Sequence, residues 1–109
     1  MNEVHDLKEL LRTVIADGDF GVTLRTGEPS VVHTRTGRRT IDGKHPTRDE
    51  ITAFLRQMMG SRGVREFRDR GVTRFMVPFD GGVRLVGAAR LEKDDFHVEI
   101  RRMAGRSKR

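Results

Sequence analysis

Leu7, Leu10, Leu11, Val14 and Ile15 recur at steps of three and four residues, so a helix places all five on one face. The pattern predicts an amphipathic helix with Asn2 as its N-cap and Gly18 as the left-handed residue beyond its end. At Gly21 the period shortens to two. Val22 and Leu24 alternate with Thr23 and Arg25, which is a half-buried strand, and Gly27-Glu28-Pro29 turns the chain. Ser30 to Thr36 is a second run of strand-forming residues, and Arg38 to Ile41 a third, with a hairpin around Thr36-Gly37. Asp42 to Pro46 reads as a loop.

Thr47 and Glu50 have the spacing of a capping box, in which each side chain satisfies a backbone N–H of the other's end of the first turn. Ile51, Phe54, Leu55 and Met58 form the buried stripe of the helix that follows. Gly60 is expected to end it, and Ser61 to cap a third helix that turns Val64 and Phe67 inward and stops at Gly71. Three alternating runs complete the chain. Phe75, Val77 and Phe79 define the first, followed by a turn at Asp80-Gly81-Gly82. Val83 to Leu91 is the second, where Gly87, Ala88 and Ala89 leave room for a closely packed neighbour. Phe96, Val98 and Ile100 define the last, after a turn at Glu92 to Asp95.

The predicted order is α-β-β-β-α-α-β-β-β in a single α+β domain. An antiparallel sheet with helices on one face is the arrangement that buries these stripes together. The domain is expected to span residues 1–103, with 104–109 a basic disordered tail.

Charge refines this picture. The chain has 22 Lys+Arg against 16 Asp+Glu over 109 residues, a formal net charge of +6. Residues 101–109 contain Arg101, Arg102, Arg106, Lys108 and Arg109 and no acid, so residues 1–100 carry a net charge near +1. Cysteine is absent, which excludes disulfides, thiolate nucleophiles and cysteine metal sites. Uninterrupted apolar runs are too short for a membrane span. The polar, acidic N-terminus differs from a signal peptide, and a cytoplasmic location is expected. Arginine outnumbers lysine 18 to 4, in keeping with a GC-rich bacterial genome.

Few side chains are spaced for chemistry. His5, His33, His45 and His97 fall in separate segments with no H-x-H or H-x-x-x-H pairing, so they are expected to be exposed and metal-free. No G-x-S-x-G surrounds a serine, and no G-x-x-x-x-G-K-[ST] cradle occurs among the 12 glycines. Neither catalysis nor a cofactor is expected. Gly60-Ser61-Arg62-Gly63 does form a G-x-x-G between two helices, followed by Arg65. In KH domains such a loop clamps single-stranded nucleic acid. A KH-like nucleic-acid-binding domain, using that loop and the basic tail, is therefore the alternative reading.

The order and spacing of the segments as a whole resemble a known family. Leu7-Lys8-Glu9-Leu10-Leu11 through Gly18, Val22-Thr23-Leu24, Gly27-Glu28-Pro29-Ser30 and Val31 through Arg38 follow one another as in the N-terminal, PAS-like domain of the PilT-type twitching-motility ATPases. These are hexameric motors of type IV pili, related to the type II secretion ATPases. Thr47 to Ile51, Phe54 to Met59, Arg65-Glu66-Phe67, Phe75 to Pro78, Gly82 to Val86 and Val98 to Arg101 continue the likeness, which covers roughly residues 4–103. The strand that reads Ser-Asp-Leu-His in the family is Phe20-Gly21-Val22-Thr23 here. The RecA-like motor domain has no counterpart in the sequence.

The resemblance implies a non-enzymatic protein-interaction or regulatory module in bacterial motility, binding a protein partner or self-associating. In the motors this domain packs on a neighbouring subunit's RecA-like domain, and its arginines can approach the nucleotide there. Arg84 and Arg101 are the positions that match such arginines. With Arg62 and Arg65 of the G-x-x-G segment they are the candidate partner- or phosphate-contacting residues.

Overall fold

A computed structural model describes residues 7–41, 45–79 and 82–103. The expected Asn2 cap, the Asp42 to Lys44 loop, the Asp80-Gly81 turn and the tail 104–109 lie outside the described residues. Helix α1 (Leu7–Ala16) buries Leu11 and Val14, with Leu7, Leu10 and Ile15 packed partly against the core. Its end is a Schellman motif. Gly18 sits at φ +83°, its N–H donates to the Ile15 carbonyl, and the Asp19 N–H reaches back to that of Val14.

Three strands follow, β1 (Gly21–Arg25), β2 (Val31–Thr34) and β3 (Gly37–Thr40). Thr34 pairs with Gly37, so Arg35-Thr36 is the two-residue loop of the expected hairpin. Helix α2 (Arg48–Arg70) starts at the predicted capping box. Thr47 Oγ1 accepts from the Glu50 N–H at 3.1 Å, and Glu50 Oε1 accepts from the Thr47 N–H at 2.9 Å. Such a cap stabilises a helix start by about 1 kcal/mol. The two helices expected on either side of Gly60 are both present within α2 and meet at a kink, where Gly60 (φ +79°, ψ 167°) leaves helical torsions. Ile51, Phe54 and Leu55 are buried before the kink, and Val64 and Phe67 after it. Gly71, at φ +85°, closes the helix with its N–H on the Phe67 carbonyl. Its own carbonyl accepts from the Leu91 N–H, which ties the helix end to the sheet.

The meander β4 (Val72–Pro78), β5 (Arg84–Glu92) and β6 (Asp95–Arg102) completes a six-stranded antiparallel sheet of order β3-β2-β1-β6-β5-β4. Its two halves join where β1 pairs with β6, Val22 opposite Ile100 and Leu24 opposite Val98. Those four residues are buried under the helices together with Leu85 and Phe96. The Phe67 ring lies 5.8 Å from that of Phe96 and pins the second half of α2 to the sheet. The α+β order, with helices on one face of an antiparallel sheet, is the one the sequence predicts.

The three small residues of β5 do different things. Gly87 faces the helices opposite Phe75, whose ring occupies the space a β-carbon would take, 2.2 Å from its ideal position. Ala89 is buried beside it, while Ala88 points to the other, uncovered face.

Candidate functional site

Every strand that alternates inward and outward turns its second set of side chains to the face away from the helices. On β5 the exposed positions are Arg84, Val86, Ala88, Arg90 and Glu92. On β4 they are Val72, Arg74, Met76 and Pro78. Register then converts separate sequence positions into rows. Arg38, His33, Gly21, Arg101, Val86 and Met76 align across the whole sheet, and Arg74, Ala88, Glu99 and Thr23 form the next row. Arg25, His97, Arg90 and Val72 form a third.

Arginine therefore accumulates on one surface. Arg25, Arg38, Arg74, Arg84, Arg90 and Arg101 share this open face with the acids Glu92, Asp95 and Glu99. Residues 1–100 are nearly neutral in sum, but the sheet gathers five of their arginines on this face, to which Arg101 adds a sixth, and leaves it basic. Arg38, Arg74, Arg84 and Arg101 have no side-chain hydrogen bond or ion pair among the described residues. Unpaired arginines keep long-range attraction for an anionic partner, which raises encounter rates more than affinity.

Arg84 and Arg101 lie on this face as near neighbours. Arg101 pairs with Val86, two residues beyond Arg84, and both line a concavity with His33, Glu99, Arg102, Phe20 and Met103. Phe20 and Met103 are 44% and 42% exposed, so the concavity has an apolar rim beside its basic floor. Arg62 and Arg65 are elsewhere. They belong to α2, on the opposite side of the sheet, so the four candidate residues do not form one site. Arg62 lies 3.7 Å from Glu66 one turn on, and Gly63 is within the helix against Met59. The G-x-x-G segment is thus a helix kink with its arginine beside an acid.

Two histidines expected to be exposed are built into the open face instead. His33 Nε2 lies 2.7 Å from Thr23 Oγ1. His97, whose side chain is 12% exposed, is surrounded. Its Nδ1 lies 3.4 Å from Arg25 Nη2 and 3.2 Å from Arg90 Nη2. A guanidinium only donates, so Nδ1 is an acceptor and the proton of the neutral ring sits on Nε2, which lies 3.2 Å from Glu99 Oε2. Sequence could not show this cluster, because Arg25, Arg90 and His97 come from three strands and meet only through register. Among the described residues no group of three His, Asp or Glu is placed to hold a metal, and no helix is long and apolar enough to cross a membrane.

A six-stranded antiparallel sheet with helices on one face and an open second face makes this an α+β domain. Solved structures place that fold more narrowly. The crystal structure of the pilus retraction motor PilT with bound ADP matches with a TM-score of 0.79 at 13% identity, over 94% of this chain and 30% of that one. The Legionella pneumophila ATPase DotB matches with a TM-score of 0.70 at 14% identity, over 89% of this chain and 28% of DotB. The fold is that of the N-terminal domain of PilT-like ATPases, and the chain spans less than a third of the length of either protein. No protein-family model and no curated protein matches the sequence.

Proposed function

We propose that this chain is a docking module of a pilus- or secretion-type assembly, without catalysis of its own, and that it binds a protein partner through the open face of its sheet. The fold likeness to PilT over 94% of the chain is the observation that carries the reading. The sequence holds no phosphate cradle of the G-x-x-x-x-G-K-[ST] kind, so nucleotide hydrolysis would belong to the partner. Arg84 and Arg101, unpaired and adjacent on the open face, are the residues assigned to contact that partner or a phosphate it holds. The reading places the module in the bacterial cytoplasm, where twitching motility or its regulation is the process it would serve.

The test is proximity cross-linking of the tagged chain in its native cell, followed by mass spectrometry and RNA sequencing of the captured material. The expected result is enrichment of a pilus or secretion ATPase or its regulator, or of a second copy of this chain. Enrichment of RNA without such proteins would overturn the reading in favour of the KH-like alternative.

A further inference from the structure

A depression of about 640 Å³ opens over Ala88 and runs from the open face round the β4 edge to the end of α2. Ala88 has the smallest side chain of its row, with Arg74 beside it on β4 and Glu99 beside it on β6. Arg90 and His97 also line the depression. Its arginines differ from those of the Arg84–Arg101 concavity, with which it shares Glu99. Its charges are not equivalent. Glu99 lies 3.2 Å from His97 Nε2, and α2 brings both an acid and a base to the depression, Glu66, which lies near Arg62, and Arg70. Arg90 is oriented from two sides, with Nε on Glu92 at 2.8 Å and Nη2 on His97 at 3.2 Å. Its Nη1 donors keep no partner among the described residues, and neither does the Arg74 guanidinium.

We propose that the depression over Ala88 is a carboxylate receptor, in which Arg74 and the pre-oriented Arg90 grip an aspartate or glutamate side chain of a protein partner. Charged hydrogen bonds from a guanidinium to a planar carboxylate are among the strongest side-chain contacts, and an arginine already held in place loses less freedom on forming them. The glutamates in the walls discriminate by charge. They offset part of the arginines' charge, which lowers the preference that arginines alone would give a phosphate dianion over a singly charged carboxylate. The small Ala88 supplies the space. His97 is a positioning residue, acting through Arg90 rather than touching the ligand. Assignment of the ligand to a protein rests on the docking reading, but carboxylate binding itself can be measured without any partner.

The experiment titrates the full 109-residue chain with an acetylated, amidated Gly-Glu-Gly tripeptide and follows backbone amides, arginine Nε–H groups and the His97 ring nitrogens by NMR. Saturable shifts at Arg74, Arg90 and Ala88 are expected, with the His97 proton on Nε2 throughout. Sodium chloride at matched ionic strength should not reproduce them. Arg74→Gln should weaken binding at least tenfold. Ala88→Leu fills an exposed depression without removing charge, and should abolish the shifts while the Arg84 and Arg101 signals stay in place. Unchanged affinity in both variants, inorganic phosphate binding more tightly than the peptide, or a proton on His97 Nδ1 would overturn the proposal. Peptide binding with no protein captured from cells would refute the docking reading alone.

Discussion

Gly21→Ala costs this protein at least ~3 kcal/mol of folding stability, the range reached when a new atom has no room to relax into. Gly21 begins β1 opposite Arg101, and a β-carbon there would lie 2.1 Å from the Ile100 carbonyl oxygen and 2.9 Å from the Arg101 α-carbon. Both obstacles are backbone. Relief requires β1 to move away from β6, and that pair joins the two halves of the sheet. Gly87→Ala is the control. A β-carbon at Gly87 would lie even among ring atoms of Phe75, the nearest at 2.2 Å. Phe75 is only half-buried on a strand at the sheet's edge, so its ring can swing aside for roughly 1–2 kcal/mol. Urea unfolding of the two variants should rank Gly21→Ala well below Gly87→Ala. Equal losses would contradict the β1–β6 geometry.

Phe67→Ala should be nearly as damaging, at about 3–5 kcal/mol. The side chain is 1% exposed and tilted against Phe96, and it carries most of the anchoring of α2 beyond the kink. Gly60 interrupts the helical torsions, so the second segment cannot borrow rigidity from the first. With a total stability of roughly 5–15 kcal/mol for a domain of this kind, the loss is a large share. Thermal unfolding checks it, and Phe67→Leu should recover more than half of the effect. A loss below about 1.5 kcal/mol in Phe67→Ala would mean that α2 is held elsewhere.

Elements governed by local physics were legible in the sequence. The stripe of α1, the Thr47–Glu50 box, the Gly18 and Gly71 termini and the alternation of Phe96, Val98 and Ile100 each follow from spacings of a few residues. Long-range pairing was not. Nothing near Val22 or Ile100 states that they face one another across 78 residues of chain. The charge map failed for the same reason. A sum over residues 1–100 says the body is nearly neutral, whereas register places Arg38 in one row of the open face, Arg74 in the next and Arg25 and Arg90 in a third. The Gly87-Ala88-Ala89 run shows the limit within one strand. Its small size was legible as space for a neighbour, but alternation sends Gly87 under Phe75 and Ala88 to the open face, so the run holds two unrelated spaces. The His97 cluster had no sequence signal at all.

The central claim is that docking uses the open face and not the helical side. It is tested most directly by comparing two charge reversals in the same cross-linking capture, Arg84→Glu with Arg101→Glu on the sheet and Arg62→Glu with Arg65→Glu on α2. Both pairs are exposed, so both variants should fold, which circular dichroism verifies. The account predicts that the sheet pair reduces protein capture at least tenfold and the helix pair by less than about twofold, since rim charges far from an interface contribute little. Capture lost with the helix pair and kept with the sheet pair would contradict it.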